Sequence, residues 1–186
     1  ADQHGLWIIE DACHAPGGYF VDSKSTKQLC GNGNYAEIGI FSFHPVKHIA
    51  CGEGGMVTTN SKELYDQLNL LRTHGISKEN MEENHGLWYY EMQTLGFNYR
   101  LTDIQSALGI SQLAKNPEGV LRRNEIAANY KKALKGKFKF QELPANTYNA
   151  HHLFVVEAND RKAFYEYLKS KGIYAQIHYI PVHTLP

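Results

Sequence analysis

The chain has 186 residues, 42% of them hydrophobic and 12% aromatic, with nineteen Lys and Arg balancing nineteen Asp and Glu. This length allows one domain, or one and a half, with a real core. A net charge of zero gives no basic excess for nucleic acid and no polybasic run for a membrane surface, and no apolar run approaches the roughly 20 residues of a membrane span.

Leu6-Trp7-Ile8-Ile9 reads as a buried strand ending on Glu10-Asp11. Residues 17–34 are polar and glycine-bearing and read as a surface excursion. Ile38-Gly39-Ile40-Phe41-Ser42-Phe43 is a second strand and Gly55-Met56-Val57-Thr58-Thr59 a third. Ser61 is placed to cap a helix that buries Leu64, Leu68 and Leu71, carries Arg72 in its last turn and stops at Gly75. Residues 76–94 show no period and are expected to form a mobile loop. Thr102-Asp103 opens a helix with Ile104, Leu108 and Leu113 on its buried face. Asn116-Pro117 is expected to interrupt it, and a separate helix to follow over residues 118–134. After Gly136 the texture shortens. His152 to Glu157 and Ile173 to Ile180 read as strands, flanking an amphipathic helix over residues 160–171. The domain boundary is therefore expected at 135/136. The opening Ala1-Asp2-Gln3-His4-Gly5 does not read as a signal peptide. It stops at Leu185-Pro186 just after an apolar run, and is expected to be a piece of a longer protein.

Chemistry concentrates in two places. Phe41-Ser42-Phe43-His44-Pro45-Val46-Lys47-His48 leads into Gly52-Glu53-Gly54-Gly55, putting one lysine on a turn beside a hydroxyl and a glycine loop. Asp11 ends the first strand, with His14 three residues on. A lone loop lysine is usually a solvated charge, and Asp11 alone could cap a helix beginning near Ala12. Together, an amine and a strand-end carboxylate are what a pyridoxal phosphate site needs: one for the aldehyde, one for the protonated pyridine nitrogen. Strand ends of an α/β pattern are also where such a fold places a ligand. His14 could face a cofactor's phenolic oxygen or be a satisfied core histidine. The His and Cys spacings match no zinc pattern. Cys13, Cys30 and Cys51 are an odd count without paired spacing, which favours a reducing, cytoplasmic compartment.

Three ordered motifs carry a resemblance. Glu10-Asp11-Ala12-Cys13-His14-Ala15, Phe41 to Lys47 with Gly52-Glu53-Gly54-Gly55, and Gly96-Phe97-Asn98-Tyr99-Arg100-Leu101-Thr102-Asp103-Ile104-Gln105-Ser106-Ala107 resemble motifs of the DegT/DnrJ/EryC1/StrS sugar aminotransferases. The resemblance implies an α/β protein of the fold-type I pyridoxal 5'-phosphate class (aspartate aminotransferase-like). Residues 1–135 would be the C-terminal part of the large domain and 136–186 an incomplete small domain. Lys47 would hold the cofactor aldehyde, Asp11 pair with the pyridine nitrogen, His14 sit by the phenolic oxygen and Ser42 bind the phosphate. Asn98 would reach the phosphate of the other subunit's cofactor in a homodimer with shared sites. Within the family, Trp88-Tyr89-Tyr90-Glu91-Met92 and Ile177-His178-Tyr179-Ile180-Pro181-Val182-His183 resemble the branch that serves pseudaminic acid biosynthesis. That branch moves the amino group of L-glutamate to C4 of a UDP-linked 4-keto-6-deoxy-N-acetylhexosamine. Two rivals share the scaffold: a sugar dehydratase, in which a histidine replaces the lysine, and a non-catalytic nucleotide-sugar or protein-binding module.

Overall fold

The computed structural model describes residues 1–79, 81, 82 and 85–186. In chain order its elements are β1 (Ile9–Asp11), β2 (Tyr19–Val21), β3 (Lys27–Leu29), β4 (Ile38–Ser42), β5 (Gly55–Thr58), α1 (Lys62–Arg72), β6 (Ile76–Ser77), β7 (Glu91–Met92), α2 (Asp103–Leu134), β8 (Lys139–Phe140), β9 (Thr147–Tyr148), β10 (Val156–Glu157) and α3 (Arg161–Ser170). They fall into two units: Ala1–Ala127 with Leu143–Leu153, and Ala128–Glu142 with Phe154–Pro186.

The first unit is organised by a sheet of order β1-β4-β5. β1 runs parallel to β4, Ile9 opposite Ile38 and Asp11 opposite Ile40. β5 returns antiparallel, with Ser42 opposite Gly55. Among the described residues β1 pairs with β4 alone; Leu6, Trp7 and Ile9 are each more than 60% exposed in this chain, and the strand itself begins only at Ile9. In β4, a Cβ on Gly39 would meet Thr58 Oγ1 at 2.7 Å and Gly31 Cα at 2.9 Å, so only glycine lets the Gly31 loop lie on the sheet. The core here is Phe43, Ile49 and Cys51, with Phe41 and Leu101 packed against it.

Residues 17–34 are not an irregular excursion. β2 pairs antiparallel with β3 and, across more than a hundred residues of sequence, with β9. The Tyr19 and Tyr148 rings stack over that second pairing, 4.9 Å apart. Gln28 is buried, and its amide is satisfied as burial requires: Nε2 donates to Asp22 Oδ2, while Oε1 accepts from Asn32 and Asn34. Within residues 76–94, β6 pairs antiparallel with β7. Residues 80, 83 and 84, which the expectation of a mobile loop also covered, lie outside the described residues.

α1 is capped as its sequence indicates: Leu64 N donates to Ser61 Oγ at 3.3 Å, and Leu64 is buried. Gly75, in the left-handed region at φ 66°, returns its N–H to Leu70 O. α2 begins in a reciprocal cap. Gln105 N donates to Thr102 Oγ1 and Thr102 N to Gln105 Oε1. It then runs for 32 residues without a break, with Pro117 inside it. An interior proline costs about 3 kcal/mol in a helix, and the helix is nonetheless continuous with its neighbours packed. Asn116 and Val120 are buried, and a Cβ on Gly17 would stand 3.0 Å from both side chains. The burial follows Asn116, Val120 and Ala127 rather than Ile104, Leu108 and Leu113, which are all exposed.

In the second unit β8 pairs antiparallel with β10, and Phe140 and Tyr130 both pack on Phe154. Phe138 meets Phe164 of α3, whose first turn is capped by Asp160 accepting from Ala163 N. The expected strand from His152 contracts to Val156–Glu157, and residues 173–180 form no strand. Among the described residues no helix is long and apolar enough to cross a membrane.

Removing the α1 cap with Ser61→Ala should lower stability by about 1 kcal/mol, measured by urea denaturation, with Ser61→Asp close to the unmutated chain. Equal midpoints for the Ala and Ser proteins would show that the Leu64 N–H finds another acceptor.

Candidate active site

Parallel pairing of β1 and β4 puts Asp11 beside Ile40, two residues before Ser42. Ala12 N extends the ladder one step further, donating to Ile40 O at 2.9 Å. The chain then turns rather than entering a helix: Cys13 N donates to Asp11 Oδ1 at 3.0 Å, and Ala15 N to Ala12 O. The two hydrogen bonds from Cys13, side chain and backbone, hold the Asp11 carboxyl below the ordinary aspartate value, assisted by the positive fields of His14 and Lys47 against a smaller opposing effect of burial. Cys13 responds in the opposite sense. Burial, its hydrogen bond to Asp11 and the Asp11 charge raise its thiol to about 11.

Lys47 sits in the connection between β4 and β5. Its N–H donates to His44 O at 2.9 Å, closing a turn whose two flanks, Phe43 and Ile49, are buried in the core. Cys51 N and Phe43 O join across the base of this loop, and Phe43 N is held by Gly54 O. Gly54 sits at φ 148°, a backbone conformation in which a side chain is strained, and a Cβ there would push against Leu101 Cδ1 at 2.8 Å. The loop is also tied from α2, because Gln105 Nε2 donates to Glu53 O at 2.9 Å. Lys47 is half-buried, and Ser42 Oγ accepts from His44 N at 3.4 Å.

Asp11, His14, Ser42 and Lys47 therefore come from two adjacent strand ends. Asn98 is placed differently: a backbone bridge ties it to Thr73, and its Oδ1 accepts from Arg100 Nε at 2.7 Å. Two further histidines join the first group: His48, which the sequence sets next to Lys47, and His152, which carries no functional reading in the sequence. The His152 ring lies 4.2 Å from His14 and 5.5 Å from His48, centroid to centroid. His48 Nε2–H donates to Ala150 O at 2.9 Å. Burial above all, then the charges of His14, Lys47, His48 and Arg123, lowers His152 to about 4. Burial likewise lowers His48. No local pattern marks His152, because the pairing that delivers its segment is set by residues far away in sequence.

A separate apolar groove of about 1030 Å³ opens on the first unit, lined among others by Leu29, Phe41, Met56, Leu113, Pro117 and Leu121. None of Asp11, His14, Ser42 and Lys47 lines it.

The DegT/DnrJ/EryC1/StrS aminotransferase family matches residues 1–186. The UDP-4-amino-4,6-dideoxy-N-acetyl-beta-L-altrosamine transaminase of Campylobacter jejuni is 36% identical over 190 residues, covering 98% of this chain and 47% of the relative. The structure of Helicobacter pylori PseC, an aminotransferase involved in pseudoaminic acid biosynthesis, superposes with a TM-score of 0.83 at 33% identity, over 98% of this chain and 48% of that one. The PLP-form of Spr1654, a putative sugar aminotransferase from Streptococcus pneumoniae, gives 0.83 at 26% identity, over 97% of this chain and 45% of that one. The chain spans about half the length of the curated relatives it matches.

The coupling of Asp11 to Cys13 is open to test by alkylation. The pH–rate profile of Cys13 with iodoacetamide should have its midpoint near 11. At pH 8 this makes its thiolate roughly 200-fold scarcer than that of an unperturbed thiol. Asp11→Asn should move the midpoint down. A midpoint at the ordinary thiol value, or one indifferent to Asp11→Asn, would break the link.

Proposed function

Because the chain belongs to the DegT/DnrJ/EryC1/StrS aminotransferase family, whose members are pyridoxal-phosphate-dependent sugar aminotransferases of fold-type I, we propose that its parent transfers the amino group of L-glutamate to C4 of a UDP-linked 4-keto-6-deoxy-N-acetylhexosamine. The observation that carries this reading is an Asp11 carboxyl held in its charged form at the end of β1, within the field of a half-buried Lys47 on the turn that follows the neighbouring strand β4. The choice of sugar rests on relatives named for altrosamine and pseudoaminic acid chemistry. Residues 1–135 are proposed as part of the large domain and 136–186 as part of the small one, in a cytoplasmic homodimer.

The residues present fit the cofactor. Asp11 has a carboxyl already held in its charged form, which matches a protonated ring nitrogen. Lys47 and His14 place positive charge beside it, which suits an anionic ligand, and Ser42 adds a hydroxyl at the end of β4. When bound, pyridoxal phosphate supplies an electron sink for the carbon that loses its proton. Lys47 is proposed to hold the cofactor aldehyde through Nζ. Once released, the same amine removes the α-proton of glutamate as general base, then returns a proton at C4 of the sugar as general acid. Asp11 keeps positive charge on the ring nitrogen by staying ionised itself, an electrostatic contribution already organised before substrate arrives. His14 orients the phenolic oxygen and Ser42 the phosphate. Asn98, whose contacts in one chain run to Thr73 and Arg100, is proposed to serve the partner's site.

Reduction of the full-length holoprotein with borohydride should leave a pyridoxyl adduct on Lys47, located by mass spectrometry of the digest. Lys47→Ala should lose both the adduct and turnover of the keto sugar. A folded protein with no adduct at Lys47, or a Lys47→Ala variant that still aminates the sugar, contradicts the assignment.

A further inference from the structure

Lys47 and Asp11 stand on different turns, and the hydrogen bonds within each turn do not fix one turn against the other. A third segment meets both. Residues 149–152 are pinned to α2: Asn124 Nδ2 donates to Asn149 O at 3.0 Å, and Arg123 Nη1 to His151 O and His152 O at 3.1 and 3.4 Å. His151, at φ 49°, takes a left-handed turn that His151 N closes on Asn149 Oδ1. This segment touches the Lys47 turn through Ala150 O, which accepts from His48 Nε2–H. It touches the Asp11 turn through the His152 ring on His14.

We propose that His152 is a positioning residue of the site: its ring packs against both His14 and His48 and so fixes the Asp11 turn relative to the Lys47 turn. A carbonyl can only accept, so the proton of His48 is on Nε2 and its Nδ1 carries the lone pair. That Nδ1 and the Nδ1 of His152 are both buried without a hydrogen-bond partner among the described residues. The groups facing His152 are His14, Lys47, His48 and Arg123, all basic, and a neutral ring is the only form that this surrounding tolerates. It therefore lends shape without adding a charge next to the lysine.

The importance of the placement for aminotransfer rests on the proposed function; the placement itself does not, and the two are tested separately. In the protein without cofactor, the Cε1 proton shifts of His14 and His48 are followed by NMR for His152→Ala and His152→Phe. The alanine variant should displace both resonances and let His48 titrate closer to its ordinary value. The phenylalanine variant, which keeps a ring, should displace them less. In the full-length holoenzyme, His152→Ala should lower kcat on the order of 10-fold with KM for both substrates nearly unchanged, as expected when a mutation away from the reacting atoms misplaces them, and His152→Phe should recover most of it. Where alanine does not fold, His152→Asn carries the same comparison. Unmoved His14 and His48 resonances overturn the proposal. So does a Phe variant as impaired as Ala, which would assign the imidazole a direct chemical part. An unmutated holoenzyme without aminotransferase activity would overturn the functional reading and leave the NMR result standing.

Discussion

The site depends on one pairing, the parallel register of β1 on β4. Asp11 is level with Ile40, so the carboxylate ends its strand where β4 is about to reach Ser42 and turn towards Lys47. A shift of one residue would turn Asp11 to the opposite face of the sheet. The register is reinforced beyond the strand by Ala12 N to Ile40 O and, on the other edge of β4, by four residue pairs with β5. The core forms beneath this junction, from Phe43, Ile49 and Cys51, so the apolar residues that flank the lysine turn also anchor it. Gly54 and the Gln105 contact to Glu53 O close the far side of the loop.

Electrostatics give the junction its character. One carboxylate, Asp11, faces His14 and Lys47, with Arg123 and two more histidines near them. The surrounding groups respond in opposite directions for one reason. Burial penalises whichever form is charged, so Cys13 is raised while His48 and His152 are lowered, and Asp11 stays ionised because Cys13 hydrogen-bonds it. A site arranged this way suits an anionic cofactor with a cationic ring, which is what the proposed chemistry requires.

Much of this was legible from local sequence. β4, β5 and the Ser61 cap follow from β-branched runs and a capping serine, and the Asp11 and Lys47 turns from motif residues at strand ends. What was not legible depended on distant partners. Residues 17–34 look irregular until β9 supplies the third strand of their sheet. Pro117 reads as a helix break because its cost is local, whereas the close approach of Gly17 to Asn116 and Val120 involves residues about a hundred positions away. The apolar run at Leu6 to Ile9 reads as a strand, yet the hydrogen-bonded strand takes in only its last residue, Ile9. His152 enters the site only because α2 holds its segment there through Asn124 and Arg123, which no periodicity encodes.

The central claim is that Asp11 serves as the ionised partner of a protonated cofactor nitrogen. The most direct measurement is the ¹⁵N chemical shift of the pyridine nitrogen of labelled pyridoxal phosphate bound to the full-length protein. The account predicts a protonated nitrogen in the unmutated protein and a deprotonated one in Asp11→Asn, with the cofactor still bound. The same nitrogen shift in both proteins would contradict it.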